Sequence, residues 1–276
     1  MPTWDSAQYL RFADERTRPC LDLAGRVELV APATVIDLGC GPGNSTAVLA
    51  ARWPAARITG LDSSAAMIEA ARREFPGRRW AVGDIASWAG ESGGERYDLV
   101  FSNAAMQWVD DHATAYPQIF RRVAPGGALA TQVPGNLDAP AHTLMRDLAA
   151  SESWRRKFTH EVREWHVHEL PFYYDVLAPL AGRIELWTTE YVHVMPNAEA
   201  IVEWYRGSGL RPFLDALPTD SDRAGFMAEY LALIREAFPS RADGRVLFPF
   251  RRLFVVACSR EEAGLPLPRT RGRGQG

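Results

Sequence analysis

Three glycines, Gly39, Gly41 and Gly43, stand close together directly after a short apolar run that ends at Leu38. Residues 45–53 then carry apolar side chains at helical spacing, so the pattern predicts a strand, a tight glycine turn and a helix. Glycine suits such a turn because it adopts backbone angles that a β-carbon forbids, and because a ligand can then approach the main chain closely. The chemistry predicted first is therefore ligand binding by backbone groups.

Asp37, two residues before the first glycine, bears on which ligand the turn favours. Loops that hold the pyrophosphate of a dinucleotide usually read G-x-G-x-x-G. This loop reads G-x-G-x-G, and no Lys or Arg lies between Asp37 and Arg52. A carboxylate at the strand end would repel a pyrophosphate and attract a ligand with an ammonium group, such as the methionine end of S-adenosylmethionine (SAM). Taken alone, the motif is equally compatible with a structural glycine turn.

Polar residues also follow the next three apolar runs, as Asp62, Asp84 and Asn103. Asp62 is placed to accept both hydroxyls of a ribose, and Asp84 is a candidate acceptor for the adenine amino group. Either acid by itself would be interpreted as a helix cap or turn former, so the prediction depends on all the strand ends facing one cleft. The residues predicted to bind the cofactor are Asp37, Gly39, Gly41, Gly43, Asp62, Ser63, Met67, Gly83, Asp84, Ile85, Asn103 and Ala104.

The elements that must position these residues alternate between strand and helix over residues 34–133. This alternation predicts an α/β fold with a doubly wound, mostly parallel sheet, and such sheets bind ligands outside the carboxyl ends of their strands. Two later strands, at 183–195 and 253–258, bring the number to seven. A helix is predicted to precede the first strand and to end near Ala31 and Pro32.

Bulk composition limits the possible partners. A net charge of −3 gives no reason to expect nucleic acid or an anionic membrane, and no apolar run is long enough to span a bilayer. Three scattered cysteines, Cys20, Cys40 and Cys258, form neither a disulfide framework nor a metal-ligand cluster. The amino terminus lacks the features of a signal peptide. We therefore expect a cytoplasmic protein without a metal.

The segment 155–169 holds three histidines among many charged residues. The spacing of His160, His166 and His168 fits no zinc signature. Since arginines and glutamates surround them, the segment is predicted to be a solvated face.

Taken together, the motifs resemble those of the class I SAM-dependent methyltransferases and, more narrowly, those of the trans-aconitate 2-methyltransferase family. The glycine loop and the acidic strand ends define only the superfamily, whereas the first and last segments point to the narrower family. The resemblance extends over nearly all of residues 1–258. The segments that carry it are W-D-x-x-x-Y-L-x-F-x-x-x-R-x-R-P (Trp4–Pro19), D-L-G-C-G-P-G-N-S-T (Asp37–Thr46), R-W-P-A-A-R-I-T-G-L-D-S-S-x-x-M-I (Arg52–Ile68), S-N-A-A-M-Q-W-V-x-x-H (Ser102–His112), Y-Y-D-V-L (Tyr173–Leu177), G-L-R-P-F-L (Gly209–Leu214) and F-P-F-R-R-L-F-V-V-A (Phe248–Ala257).

The resemblance implies methyl transfer from SAM to a carboxylate of trans-aconitate or of a similar small polycarboxylate, giving a monomethyl ester and S-adenosylhomocysteine. It also implies a Rossmann-like sheet whose last strand is antiparallel. The domain organisation expected on this basis is a cover segment at 1–33, a SAM-binding core at 34–135, the rest of the core with a helical cap at 136–258, and a disordered tail at 259–276. We expect a monomer.

The acceptor side of this reaction needs cations but no general base. A free carboxyl group has a pKa near 4, so it is already ionised at neutral pH, and the enzyme need only align the reacting atoms. Guanidinium groups suit carboxylates best, and neighbours on a strand face opposite sides, so only one of Arg251 and Arg252 should reach the site. The predicted substrate-binding residues are Tyr9, Arg18, Gln107, Trp108, Asn136, Tyr173, Tyr174, Arg211 and Arg252, with His112, Gln132 and His193 as further donors or walls.

Three alternatives stay open on the sequence. A methyltransferase acting on another acid or on a natural-product hydroxyl is one, and a hydroxyl acceptor would need a base such as His112 or His193. A dehydrogenase would bind NAD, which Asp37 and the glycine spacing disfavour. A non-catalytic SAM-binding protein is the third.

Overall fold

The computed structural model describes residues 13–163 and 165–261, so the predictions for Tyr9 and for most of the tail lie outside the described residues. Seven strands in this part form one sheet. Their bounds are β1 (Thr34–Leu38), β2 (Arg57–Asp62), β3 (Arg79–Val82), β4 (Tyr97–Asn103), β5 (Val123–Pro134), β6 (Arg183–Met195) and β7 (Val246–Cys258).

The strands are ordered β3-β2-β1-β4-β5-β7-β6. β1 to β5 pair in parallel, while β7 is antiparallel to both β5 and β6. The order reverses between β1 and β4, and a reversal of this kind opens a crevice at the carboxyl ends of the strands. The predicted doubly wound, mostly parallel sheet is therefore confirmed, together with its antiparallel last strand.

Helices cover both faces of the sheet and continue beyond its edge. In the described residues they are α1 (Ala13–Arg26), α2 (Asn44–Arg52), α3 (Ala65–Glu74), α4 (Ile85–Gly90), α5 (His112–Arg121), α6 (Pro140–Ala150), α7 (Leu170–Leu177), α8 (Ala198–Arg206), α9 (Arg211–Asp215) and α10 (Asp220–Ala237), with a 3₁₀ turn at Met106–Trp108.

Three hydrophobic clusters hold these layers together. On one face of the sheet, α1 and α2 pack through Leu23 and Leu49. On the opposite face, α4, α5 and α7 pack through side chains such as Tyr116 and Leu177. The third cluster lies where α6, α8, α9 and α10 enclose Phe248 and the neighbouring end of β7. We call this four-helix body the cap.

The first helix ends earlier than the sequence pattern predicted. α1 stops at Arg26, not near Ala31 and Pro32. Side chains of the α2 region take the backbone carbonyls beyond it: Arg52 donates to the oxygen of Val27 at 2.9 Å, and Trp53 Nε1 donates to that of Leu29 at 2.9 Å. Val27 and Leu29 therefore pack in a non-helical connection to β1 while Val30 is exposed. Periodicity alone does not distinguish such a connection from a last helical turn.

Two further expectations need correction. β7 begins at Val246, seven residues before the predicted start, because Phe248 and Phe250 alternate into the cap core while the strand stays paired to β6. The segment 155–169 is not wholly solvated. Trp165 is buried, and Phe158 packs against the cap core from the same segment. Its apolar residues are too widely spaced to stand out among the charges.

Tyr230, in the middle of α10, joins two helices of the cap. Its side chain is fully buried, and its hydroxyl donates to the carbonyl oxygen of Ala141 in α6 at 2.8 Å. Within the cap, this hydrogen bond links α10 to α6, the helix that follows β5.

We predict that Tyr230→Phe lowers the free energy of unfolding by about 1–2 kcal/mol, because it removes this buried hydrogen bond and keeps the ring. Urea denaturation measures the change. Tyr174→Phe is the control, since its side chain is 51% exposed, and it should stay within about 0.5 kcal/mol of the unaltered protein. Equal losses in both variants would contradict the assignment.

Candidate functional site

The glycine turn after β1 takes the left-handed backbone angles that its composition predicts. The φ values of Gly39, Gly41 and Gly43 are 70°, 54° and 102°. A β-carbon on Gly39 would lie 2.1 Å from that of Ala105, and one on Gly43 would lie 2.9 Å from the ring of Trp80. A β-carbon on Gly41 would meet no atom within 4 Å. Two of the glycines are thus required by packing, and Gly41 exposes main chain that a ligand can approach.

Asp37 lies beneath this turn and is fully buried. Its Oδ2 accepts hydrogen bonds from the hydroxyls of Ser45 and Thr46, both at 2.6 Å, and so joins the end of β1 to the first turn of α2. Burial raises the pKa of Asp37 to about 6, although the two hydroxyls oppose the shift. Oδ1 has no hydrogen-bond partner among the described residues, and it remains an acceptor for a cationic group.

Asp62 braces the same turn from the end of β2. Its Oδ2 accepts from the backbone N–H of Gly41 at 2.9 Å, and its Oδ1 accepts from that of Ser64 at 2.8 Å. Each carboxylate oxygen can accept a further hydrogen bond, so the bracing role leaves the predicted ribose role possible. Burial raises the pKa of this carboxyl group, and the two backbone N–H groups oppose the change.

The predicted cofactor residues after β3 and β4 differ in their exposure to solvent. Asp84 is exposed and caps α4 by accepting from the backbone N–H of Ser87 at 2.9 Å. Asn103 ends β4, and its Oδ1 is buried with no partner among the described residues. Ala104, the next residue, takes a φ of 55°, which is unusual for a residue with a β-carbon and is common where a site imposes strain.

The remaining predicted cofactor residues surround these strand ends. Gly83 donates its backbone N–H to the carbonyl oxygen of Asp62 at 3.0 Å. Met67 and Ile85 are buried, and Ser63 is exposed. Because β3, β2, β1 and β4 are neighbours in the sheet, their carboxyl ends meet at one edge, as the sequence predicted.

A second group of polar and aromatic side chains lies between the tip of β5 and the cap. Asn136 Nδ2 donates to the hydroxyl of Tyr205 at 3.0 Å. The ring centroids of Tyr205 and His142 are 4.9 Å apart, those of His142 and Trp165 are 4.7 Å apart, and those of Trp165 and Trp108 are 5.8 Å apart. The chain of contacts joins residues after β4 and β5 to the cap.

Buried polar atoms without partners are concentrated in this group and beside it. Among the described residues, no hydrogen bond reaches Asn136 Oδ1, His142 Nε2, Trp165 Nε1, Gln107 Oε1 or either side-chain polar atom of Gln132. Buried polar atoms are nearly always hydrogen-bonded in native proteins. So many at one end of the sheet indicate a site built for a polar ligand.

Positive charge is added by two arginines on neighbouring elements. Arg252 on β7 is buried, with its guanidinium 4.3 Å from the ring centroid of Phe250. Arg18 on α1 lies 5.4 Å from the ring centroid of Tyr191. Burial lowers the pKa of His193, and together with the charges of Arg252 and Arg18 it brings this pKa to about 4. His193 is therefore neutral at pH 7, and both arginines lie near it.

Other residues predicted to bind substrate are occupied elsewhere in the structure. Tyr173 is fully buried in the core between α5 and α7, where its hydroxyl lies 3.1 Å from His112 Nδ1 and accepts from the backbone N–H of His168 at 3.2 Å. Tyr174 is half exposed. Arg211 forms an ion pair with Asp215 on its own helix at 3.5 Å. Adjacency in a motif does not determine which way successive helical side chains point.

The structure also bears on the predictions for His112 and for the arginine pair Arg251 and Arg252. Both ring nitrogens of His112 are engaged, because Nε2 lies 2.8 Å from the carbonyl oxygen of Met106. It is therefore not free to act as a base. Arg251 faces outward and pairs with Glu169 at 2.7 Å while Arg252 is buried, which confirms that the two lie on opposite sides of β7.

Sequence reasoning missed His142, Trp165 and Tyr205. His142 and Tyr205 lie in amphipathic helices, where a buried polar residue is indistinguishable from one on the solvent face. Trp165 gave the only signal, as a large aromatic residue within a charged run. Across 13–163 and 165–261, no group of three or more His, Cys, Asp or Glu side chains could hold a metal ion. In the same residues no helix is both long and apolar enough to cross a membrane.

Known proteins resemble this chain both in the first part of the sheet and over nearly its whole length. The profile of a methyltransferase domain matches residues 35–127, from β1 to the start of β5. The trans-aconitate 2-methyltransferase of Azoarcus sp. (strain BH72) is 51% identical over 257 residues, which are 93% of this chain and 99% of that protein. The trans-aconitate 2-methyltransferase of Paracidovorax citrulli (strain AAC00-1) is 48% identical over 258 residues, which are 93% of this chain and 98% of that protein.

Solved structures share the fold at low sequence identity. The YcgJ protein of Bacillus subtilis superposes with a TM-score of 0.57 at 16% identity, covering 88% of this chain and 99% of that one. A putative methyltransferase of Bacillus halodurans C-125 gives a TM-score of 0.56 at 13% identity, covering 88% of this chain and 99% of that one. These likenesses concern the fold alone, and they confirm the predicted Rossmann-like arrangement of the class I methyltransferases.

We predict that Asp37→Asn stabilises the unliganded protein at neutral pH. The folded-state pKa lies at about 6 against an ordinary 3.8. The folded protein therefore holds a proton that the unfolded chain has released, and stability falls as pH rises between these values. At 1.36 kcal/mol per pKa unit, the variant should gain about 2–3 kcal/mol above pH 6. Urea denaturation from pH 4 to 8 checks this, and the difference should vanish near pH 4. A constant difference across the range would exclude this explanation.

Proposed function

The chain belongs to the trans-aconitate 2-methyltransferase family, and from that membership we propose that it transfers a methyl group from SAM to a carboxylate of trans-aconitate. The products are a trans-aconitate monomethyl ester and S-adenosylhomocysteine. The observation that carries the proposal is identity of 51% with a relative of that name over 99% of the relative's length. The two halves of the site fit the two substrates separately.

The strand ends of β1, β2 and β4 suit the donor. Gly41 offers main chain facing open space, and Asp62 holds it there while keeping acceptor capacity for ribose hydroxyls. Asp37 Oδ1 is a buried, unpartnered acceptor that suits the ammonium end of the ligand. SAM supplies a methyl group already activated by the positive charge on its sulfur. The predicted cofactor residues are retained as the binding residues on this basis.

The tip of β5, β7 and the cap suit the acceptor. Arg252 and Arg18 provide positive charge for a polyanion, and guanidinium groups bind carboxylates through two parallel hydrogen bonds. Asn136 and Gln107 supply buried amide groups at the same end of the sheet. Arg252, Asn136 and Gln107 are buried whereas Arg18 is exposed. A carboxylate bound against the buried groups would be held in a fixed position and shielded from water, which can contribute several kcal/mol to the rate.

The chain needs no general base for this acceptor. A carboxylate is ionised at neutral pH, His112 has both ring nitrogens engaged, and the pKa of His193 is held to about 4. The residues therefore act by orienting and desolvating the acceptor oxygen. We also place the enzyme in the cytoplasm, since Cys20, Cys40 and Cys258 are all free thiols.

We predict that Arg252→Gln raises KM for trans-aconitate by about 10- to 100-fold, the cost of losing hydrogen bonds to a charged group. The dissociation constant for SAM should change less than about twofold, since Arg252 lies on the acceptor side. Steady-state kinetics and calorimetry measure the two quantities.

Arg251→Gln is the matched control, because it removes the same charge from the preceding residue, which is partly exposed and paired with Glu169. Its KM should stay near that of the unaltered enzyme. If both variants raise KM equally, or if Arg252→Gln abolishes SAM binding, the assignment of Arg252 to the acceptor pocket is wrong.

A pH profile separates this proposal from a hydroxyl acceptor. With SAM and trans-aconitate both saturating, kcat should be flat from about pH 6.5 to 8.5, since no proton leaves the acceptor. A hydroxyl substrate would instead require a base, and the rate would fall tenfold per pH unit below its pKa. A profile that falls toward acid with a midpoint near 7, or an enzyme that methylates phenols and not trans-aconitate, would overturn the carboxylate assignment.

A further inference from the structure

Two buried polar side chains, His142 and Trp165, line a small cavity between the strand ends and the cap. His142 is 5% exposed and Trp165 is 9% exposed, and their ring centroids lie 4.7 Å apart. Neither His142 Nε2 nor Trp165 Nε1 has a hydrogen-bond partner among the described residues. Two unsatisfied polar atoms side by side in a buried place indicate a site for a polar group of a ligand.

The cavity has room for one polar group, and the charged side chains of the described residues that line it are positive. Its volume is about 20 Å³, comparable to the space that one water-sized group needs. Arg146 and Arg163 contribute two guanidinium groups, and among the residues that the structure describes no acidic side chain lines the cavity. Arg146 also donates to the carbonyl oxygen of Leu137 at 2.7 Å, which fixes its position at the cavity wall.

The protonation state of His142 follows from its burial and from the nearby charge of Arg146. Burial lowers its pKa to about 3, and the charge of Arg146 contributes to the shift. His142 is therefore a neutral imidazole at pH 7 and can donate from Nε2. The indole of Trp165 is a donor only. Two N–H donors under a positive potential suit an anionic oxygen and repel an ammonium group.

The cavity is close to the residues after β4 and β5. Trp165 contacts Trp108, which follows β4, with ring centroids 5.8 Å apart. Tyr205 connects His142 to Asn136 at the tip of β5, with ring centroids 4.9 Å apart on one side and a 3.0 Å hydrogen bond on the other. The residues that line the cavity are therefore in contact with residues of the proposed acceptor pocket or with their immediate neighbours.

We propose that this cavity receives one oxygen of a second carboxylate of the acceptor, one that is not methylated, and that Trp165 Nε1 and His142 Nε2 donate to this oxygen while Arg146 supplies the positive charge. The inference rests on the proposed function, because it assigns a further part of the same polycarboxylate. The cavity then determines specificity: an acceptor without a carboxylate at this position leaves two buried donors unpaired, which costs affinity.

The test measures binding in the presence of S-adenosylhomocysteine, so that no turnover occurs. Calorimetry gives dissociation constants for trans-aconitate and for three dicarboxylates that each lack one of its carboxyl groups. These are mesaconate, in which a methyl group replaces the CH₂–carboxyl arm, glutaconate, which lacks the central carboxyl group, and itaconate, which lacks the carboxyl group on the vinyl carbon. Trp165→Phe removes the N–H and keeps an aromatic ring. It should weaken trans-aconitate binding about tenfold or more, the usual effect of one hydrogen bond to a charged group, and Arg146→Gln should do the same.

Two control variants exclude a merely structural effect. Trp154→Phe removes another buried indole, whose Nε1 donates to Glu229 at 2.9 Å in the same part of the cap. Arg156→Gln removes an exposed charge. Both should leave all four dissociation constants within about twofold.

The decisive result is the pattern across ligands. Against one of the three dicarboxylates, Trp165→Phe should bind as well as the unaltered protein, because that ligand lacks the carboxylate which the cavity receives. Equal weakening of all four ligands, or unchanged binding of trans-aconitate, would overturn the inference. Turnover is measured separately: a protein that shows the ligand pattern but does not methylate contradicts the proposed function alone, and one that methylates without the pattern contradicts this inference alone.

Discussion

The buried carboxylate of Asp37 is the constraint on which the donor half of the molecule depends. It ties the end of β1 to the hydroxyls of Ser45 and Thr46 at the start of α2. The chain between them must reverse over a very short distance, so Gly39 and Gly43 take left-handed angles in places where a β-carbon would collide with neighbours. This arrangement removes the carboxylate of Asp37 from water, which is unfavourable for the charged form and therefore raises the pKa of Asp37.

Charge is divided between the two halves of the site. Asp37 and Asp62 lie under the glycine turn, while Arg18 and Arg252 lie toward the cap. A cationic donor and an anionic acceptor would each meet the opposite sign, and the two like-charged sets stay on separate elements. The same arrangement explains why no base is required, because an ionised acceptor needs only to be held and shielded.

The cap contributes packing and polarity together. Tyr230 fastens α10 to α6 by a buried hydrogen bond, and Phe248 and Phe250 carry β7 into the cap core. Between this core and the sheet lie aromatic residues with polar atoms, such as His142 and Trp165, which a purely structural interface would replace by apolar side chains. Rigid packing around them fixes the direction of their donors, and directional donors are what discriminate one polyanion from another.

The sequence by itself determined which segments form strands, how these alternate with helices, and which acidic residues follow them. It could do so because the period of apolar residues and the glycine spacing are local properties. It also separated Arg251 from Arg252, since alternation along a strand is local too. Tertiary structure alone decided that Tyr173 belongs to the core, that α1 ends at Arg26, and that His142 and Trp165 meet. These outcomes depend on contacts between elements distant in sequence, which no local pattern records.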